Sequence, residues 1–139
     1  PTSGDRAELE AHSFRTWRLI GSPAYPLSDE ALREKVLSGF DRCFYPDGHR
    51  RQMAAILASG DRVEVLKRIA APTLVIHGAD DPLVPPAGGI DTARLVPNAR
   101  LELIDGMGHD LPPGLIPTFA ALIGEHVDGG LKVAVAKAG

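Results

Sequence analysis

Apolar side chains in the first seventy residues recur every three or four positions, which is the spacing of one face of an α-helix. The first stripe predicts a helix over residues 5–20. Pro23 marks its end, because proline cannot continue the helical hydrogen-bond ladder. Ser28 is placed to cap the next helix by accepting a hydrogen bond from an early backbone N–H. The remaining stripes predict helices over residues 29–43, 48–58 and 61–69.

Beyond these helices, short strand-like runs replace the helical spacing, and the first of them is apolar and rich in β-branched residues. The runs at 73–77 and 100–104 predict two strands, and residues 87–95 between them predict a helix. A strand, a crossover helix and a second strand form a βαβ unit, in which the strands are parallel. The first run does not alternate between apolar and polar residues, so we expect a strand buried on both faces. A last helix is predicted over 115–128, and the tail at 129–139 is expected to fray rather than to add an edge strand.

These elements assign the chain to the α/β class. Residues 1–70 are predicted to form a helical segment, residues 71–128 a βαβα unit with parallel strands, and residues 129–139 a tail. Two short strands do not make a free-standing core, because a parallel sheet needs cover on both faces. We therefore expect the chain to be part of a larger domain.

Charge and composition argue against several classes of partner. The 139 residues include 15 Lys and Arg against 18 Asp and Glu, so there is no basic excess that would favour nucleic acid. No apolar run approaches the roughly 18 residues that a membrane span needs. The single cysteine, Cys43, excludes an internal disulfide and a cysteine-based zinc site, and it fits a cytoplasmic protein. The histidines of the predicted helices have no ligand partner one turn away, so neither a metal nor another cofactor is expected.

Two loops carry the residues that could perform chemistry. The loop His77–Pro85 follows the first predicted strand, and the loop Gly106–Pro112 follows the second. Because the carboxyl ends of parallel strands meet at one edge of a sheet, we expect Asp81 and His109 to lie close together there. An aspartate beside a histidine fixes the imidazole tautomer and stabilises the imidazolium that forms during proton transfer.

Each loop alone also has an ordinary structural interpretation. Asp80, Asp81 and Pro82 are typical of an Asx turn, and a histidine flanked by glycines is often merely exposed. The two loops together favour function, since each follows the carboxyl end of a predicted parallel strand.

Between about residues 72 and 127 the chain resembles the α/β-hydrolase superfamily. The resemblance rests on the segments His77-Gly-Ala-Asp-Asp-Pro-Leu-Val-Pro85 and Gly106-Met-Gly-His109, each next to its strand. The order and spacing of these two segments together are more specific than either segment alone.

The resemblance implies a role for particular residues. It identifies Asp81, not Asp80, as the acid of a catalytic triad, and His109 as the histidine. It also implies that residues 5–70 form the helical lid that precedes these strands. A finer resemblance, to small bacterial hydrolases similar to aclacinomycin methylesterase, rests on the segments Ser22–Pro26, Phe44–Gly48 and Arg51–Gly60.

One departure from the superfamily concerns the nucleophile, which the superfamily carries in a Gly-x-Ser-x-Gly elbow. None of the serines of this chain lies in such a motif; they are Ser3, Ser13, Ser22, Ser28, Ser38 and Ser59. The resemblance thus implies the C-terminal part of a serine hydrolase of the esterase or lipase type, acting on a small-molecule ester. The chain alone is then expected to be inactive.

The alternative is a catalytically inert folded fragment or interaction module. Its open sheet edge would pair with another copy of the chain or with another chain. In the hydrolase hypothesis, by contrast, a missing N-terminal half would supply the serine and the oxyanion hole.

Overall fold

The computed structural model describes the backbone of residues 5–138 and the side chains of residues 5–129. Most predicted helices and strands are confirmed, with ends that agree to within a residue or two. The elements are α1 (Arg6–Ile20), α2 (Asp29–Arg42), α3 (Asp47–Ser59), α4 (Val63–Leu66), β1 (Leu74–Gly78), α5 (Pro86–Leu95), β2 (Arg100–Ile104) and α6 (Ile116–Ala138).

The chain divides into two compact units. One unit contains α1, α2 and α3. The other contains the short segment Gly21–Pro26 together with every element from α4 onward. The segment Gly21–Pro26 thus belongs with the sheet rather than with the helices that flank it in the sequence.

The helical unit is held by the packing of α1 against α2. Leu32 and Val36 of α2 are buried, as their helical spacing predicts. The predicted cap of α2 is confirmed, since the Ser28 hydroxyl oxygen accepts a hydrogen bond from the Ala31 N–H at 3.1 Å. Exposed apolar side chains remain on α3, which has no buried residue.

The sheet unit contains two parallel strands, and this confirms the predicted α/β class with its βαβα order. The register runs from Leu74 opposite Arg100 to Gly78 opposite Ile104. Helix α5 packs on both strands as the crossover. Because both strands end at the same level, the two loops that follow them leave from the same edge of the sheet.

The expectation that the first strand is buried on both faces is wrong. Its residues Leu74–His77 are half-buried, and Leu103 of β2 remains 41% exposed. A two-stranded sheet packed against one crossover helix leaves much of its surface accessible, which explains the difference.

Two predicted helix ends also need correction. The helix predicted over 61–69 is a single turn, α4, because the N–H groups of Arg68 and Ile69 bond three residues back, which tightens the chain and ends the α-helix. At the C-terminus, α6 continues to Ala138, so both the predicted end at 128 and the frayed or strand-like tail are wrong. The alternating Val and Ala residues there tolerate a helix, and periodicity alone does not decide so short a segment. None of the helices in the described residues is long and apolar enough to cross a lipid bilayer.

Candidate active site

The loops that follow β1 and β2 are tied together by backbone hydrogen bonds. The Ala79 N–H donates to the Ile104 carbonyl at 3.0 Å, and the Asp80 N–H donates to the Met107 carbonyl at 3.0 Å. The Asp80 side chain adds a third bond, since its Oδ2 accepts from the Gly106 N–H at 2.7 Å. The two loops therefore lie side by side beyond the carboxyl ends of the strands.

Asp81 and His109 are in direct contact in these loops. Nδ1 of His109 lies 2.7 Å from Oδ2 of Asp81, and the two residues are 28 positions apart in the sequence. The Asp81 side chain is only 5% exposed, whereas the His109 side chain is 37% exposed. The predicted contact is thus confirmed, with the carboxylate buried behind an accessible imidazole.

The second oxygen of Asp81 holds its own loop. Oδ1 accepts hydrogen bonds from the Leu83 N–H at 2.8 Å and the Val84 N–H at 2.9 Å, which is an Asx-type turn. Asp81 therefore fits both interpretations, since its Oδ1 forms the turn and its Oδ2 contacts the histidine.

The surroundings of Asp81 favour its ionised form. Burial raises the pKa of this carboxyl, but hydrogen bonds from the Val84 N–H, the His109 ring and the Leu83 N–H outweigh burial, so the pKa lies below its ordinary value. An ionised Oδ2 only accepts, so Nδ1 of His109 carries a proton, and in the neutral imidazole the lone pair is then at Nε2. That tautomer can take up a proton at Nε2.

A second histidine, His77, supports the loop of the acid. Its Nε2 lies 2.9 Å from the Val84 carbonyl oxygen, which can only accept, and 3.8 Å from Oδ2 of Asp81. The His77 ring packs so closely on Gly89 that a Cβ there would lie 2.9 Å from ring atoms. The sequence places His77 in the motif at the end of β1, but no local signal in it indicates this supporting position.

Two glycines allow the loops to approach each other. A Cβ at Gly78 would lie 2.3 Å from the Met107 carbonyl oxygen and 2.4 Å from that of Gly108, so no side chain fits. Gly106 has a φ of +72°, in the region that favours glycine, and a Cβ there would lie 2.3 Å from the Cβ of Ala24.

The segment Gly21–Pro26 forms another side of the histidine loop. Ser22 is 2% exposed, and its Oγ accepts from the Gly108 N–H at 2.9 Å and donates to Oδ1 of Asp110 at 2.5 Å. The Ser22 N–H donates to the same Asp110 oxygen at 2.9 Å, and the Ala24 N–H donates to the Gly106 carbonyl at 3.1 Å. This arrangement was not predicted, because nothing local in the sequence links residues 22 and 110.

Among the side chains of residues 5–129, no three from His, Cys, Asp or Glu lie close enough together to hold a metal ion. The hydroxyl proton of Ser22 is committed to Asp110, and its burial removes it from solvent, so this serine is not suited to act as a nucleophile.

The helical unit contains a mostly apolar cavity of about 410 Å³, whose lining also includes Lys35, Arg42 and His49. The Lys35 ammonium lies 3.9 Å from the centre of the Trp17 ring at its wall, which is a cation–π contact. The lining residues include Leu9, Trp17, Val36, Phe40, Phe44 and Tyr45.

An acid after one parallel strand and a histidine after the next, in contact beyond the sheet edge, are the features of an α/β hydrolase. A family model described as alpha/beta hydrolase fold matches residues 7–112. The chain belongs to this family.

Matches to individual proteins support this family assignment. The chain is 30% identical over 120 residues to the rhodomycin D methylesterase DnrP of Streptomyces peucetius. This match covers 86% of this chain and 40% of that protein. It is 32% identical over 130 residues to the rhodomycin D methylesterase DauP of Streptomyces sp. (strain C5), with coverage of 89% and 42%. These matches confirm the finer resemblance to bacterial methylesterases. A shorter match, 44% identical over 52 residues, is to the non-heme chloroperoxidase CPO-A1 of Kitasatospora aureofaciens and covers 37% of this chain and 19% of that protein.

Solved structures show the same fold. A meta-cleavage product hydrolase (CumD) from Pseudomonas fluorescens IP01 superposes with a TM-score of 0.67 at 21% sequence identity, over 86% of this chain and 46% of that one. The chain thus spans about two fifths of the length of the two methylesterases and under half of this hydrolase.

Proposed function

We propose that this chain supplies the acid and the histidine of a serine hydrolase that acts on carboxylic esters. The observation that carries the proposal is the 2.7 Å contact between Nδ1 of His109 and the buried Oδ2 of Asp81. An ionised aspartate behind an accessible imidazole is the arrangement that general-base catalysis by histidine requires. The names of the two methylesterases support ester hydrolysis as the reaction.

In the proposed reaction, Nε2 of His109 removes the proton of a serine hydroxyl as its oxygen attacks the ester carbonyl carbon. The imidazolium then gives this proton to the departing alcohol, which leaves an acyl-enzyme. A water molecule attacks the acyl-enzyme in the same way, with Nε2 taking its proton and returning it to the serine. Throughout, Asp81 stays ionised and stabilises the imidazolium.

The serine and the oxyanion donors are proposed to come from residues outside this sequence. Support comes from the absence of a Gly-x-Ser-x-Gly elbow in the chain and from its length, about two fifths of that of its methylesterase relatives. The 139 residues alone are then expected to be inactive.

We also propose a cytoplasmic location for the protein, which the single Cys43 fits.

The substrate is proposed to be a small-molecule ester with an apolar part. The cavity in the helical unit supports this, because aromatic and aliphatic side chains line it and its volume of about 410 Å³ is within the usual range of small-molecule sites. The helices α1 to α3 are proposed to act as the lid of the hydrolase.

The test compares two proteins in the hydrolysis of p-nitrophenyl acetate. We expect turnover, blocked by a fluorophosphonate, from the product of the whole gene that encodes this chain, and none from the 139 residues alone. His109→Ala should abolish turnover, whereas His12→Ala, at an exposed position on α1, should leave it unchanged. Fluorophosphonate-sensitive turnover by the 139 residues alone would contradict the proposed source of the nucleophile.

A second candidate function is that of an inert interaction module. The observation that favours it is the two-stranded sheet, in which each strand has one edge that no other described strand pairs with. Light scattering on the purified 139 residues tests it: a dimer is expected if the strand edge pairs with another copy, and a monomer with a cooperative melting transition counts against such pairing.

A further inference from the structure

Ser22 makes three hydrogen bonds to the residues on either side of His109. Its Oγ accepts from the N–H of Gly108, and both its Oγ–H and its backbone N–H donate to Oδ1 of Asp110. The residue that precedes the histidine and the residue that follows it are therefore fixed to one serine, which lies more than 80 positions earlier in the sequence.

The bond between Ser22 and Gly108 is buried, and the two bonds between Ser22 and Asp110 are partly buried. Ser22 is 2% exposed, and no buried polar side-chain atom of the described residues lacks a partner. A hydrogen bond in such surroundings is worth more than an exposed one, and leaving its donor unpaired is costly. Removal of the Ser22 hydroxyl would leave the Gly108 N–H without its acceptor, at the position next to His109.

The segment that carries Ser22 is itself joined to the histidine loop. The Ala24 N–H bonds to the Gly106 carbonyl, and the Ala24 Cβ occupies the space beside Gly106 where a side chain would otherwise lie. Contacts at Gly106, Gly108 and Asp110 therefore hold alternate residues of the loop from the same side. His109 lies between the last two.

We propose that Ser22 and Asp110 are positioning residues, which hold the loop so that the His109 ring stays against Asp81 with Nε2 directed at the reacting proton. This inference rests on the proposed function. Neither residue takes part in bond making, because the Ser22 hydroxyl proton is given to Asp110 and not to the imidazole. A displacement of a catalytic group by about 1 Å can cost on the order of a hundredfold in rate, so the effect should appear in kcat.

The kinetic test uses the product of the whole gene with p-nitrophenyl acetate. We expect Ser22→Ala and Asp110→Ala to lower kcat by roughly 10- to 100-fold with KM changed less than about twofold. Asp110→Asn should restore kcat to within about threefold of the unsubstituted protein, since its amide oxygen still accepts both bonds from Ser22. Ser59→Ala is the matched control, because the Ser59 hydroxyl donates to the Ala55 carbonyl of its own helix.

A second readout does not depend on activity. The Nδ1–H proton of His109, hydrogen-bonded to Asp81, should give a downfield signal in proton NMR of the protein labelled with ¹⁵N-histidine. We expect this signal in the unsubstituted protein, in Asp110→Asn and in Ser59→Ala, and its loss or broadening in Ser22→Ala and Asp110→Ala. If Ser22→Ala does not fold, the Asp110→Ala and Asp110→Asn pair decides the matter.

The outcomes separate this inference from the proposed function. Absence of turnover by the unsubstituted protein would contradict the proposed function, and the NMR comparison would still test the positioning. A retained Nδ1–H signal in folded Ser22→Ala or Asp110→Ala would overturn the inference, as would an unchanged kcat. Equal losses of kcat in Asp110→Asn and Asp110→Ala would also overturn it.

Discussion

Oδ2 of Asp80 accepts a hydrogen bond from the Gly106 N–H at 2.7 Å, so the two adjacent aspartates of one loop both bind the neighbouring loop. Asp80 binds its backbone, whereas Asp81 binds the His109 ring. The structure thus separates two carboxylates that are next to each other in the sequence into a structural one and a candidate catalytic one.

This difference predicts unequal effects of substitution at the two aspartates. Asp80→Ala should lower the free energy of unfolding by about 1 kcal/mol, the value of one partly exposed hydrogen bond, and should change kcat less than about tenfold. Asp81→Asn should lower kcat by about 10³- to 10⁴-fold, because the amide no longer favours the productive imidazole tautomer. Urea unfolding measures the stability of each variant of the whole gene product, and p-nitrophenyl acetate turnover measures its kcat. A larger loss of turnover for the Asp80 variant would identify the wrong aspartate as the acid.

The lowered pKa of Asp81 predicts a pH dependence of stability. A carboxyl whose pKa is lower in the folded than in the unfolded state stabilises the fold fully above its unfolded pKa, about 3.9 for aspartate. This contribution is lost as the pH falls below that value and through the folded pKa. The unfolding free energies of the unsubstituted protein and of Asp81→Asn should therefore converge as the pH falls from about 5 towards 2. Urea unfolding at a series of pH values checks this, and a constant difference between the two proteins would speak against it.

The closeness of the two loops predicts that Gly78 does not tolerate a side chain. In Gly78→Ala, the new Cβ would meet two carbonyl oxygens of the backbone, which cannot rotate away, and we expect a loss of about 3 kcal/mol or more in unfolding free energy. Gly124→Ala is the control, since its Cβ meets nothing within 4 Å on helix α6 and should stabilise by about 0.5–1 kcal/mol. Thermal unfolding of the two variants tests this prediction. Similar melting temperatures for both would mean that the two loops are not as close as the 2.3–2.4 Å distances from a Cβ at Gly78 imply.

His77 is predicted to act through the loop of the acid. His77→Ala removes the donor to the Val84 carbonyl, which should cost about 1–2 kcal/mol of stability and lower kcat by roughly tenfold as Asp81 becomes less well held. The His109 Nδ1–H signal in NMR should broaden in the same variant. A sharp signal with full kcat would show that His77 is not needed to hold the acid.

The sequence was sufficient to predict the order of the elements and the contact between Asp81 and His109. Each of these residues lies a few positions after its strand, and parallel strands necessarily bring the loops after them to one edge. The local pattern of apolar residues therefore predicted that the two loops meet, whereas the resemblance to the α/β-hydrolase superfamily identified Asp81 rather than Asp80 as the acid.

The positions of Ser22 and Asp80 were not predictable in the same way. Ser22 follows a helix and precedes a proline, which indicates only a helix end, and its partners are 86 and 88 positions away. Asp80 and Asp81 have different partners because of the way the chain turns after β1. The residue types alone do not predict the direction of that turn. The extent of α6 was missed because short alternating Ala and Val residues fit either a strand or a helix.

Mass-spectrometric mapping of fluorophosphonate labelling in the whole gene product tests whether His109 and Asp81 serve a serine outside this sequence. We expect one labelled serine, in a peptide outside the 139 residues, and loss of the label in His109→Ala. Labelling of a serine within the 139 residues, or equal labelling with and without the His109 imidazole, would show that this pair does not serve an external serine.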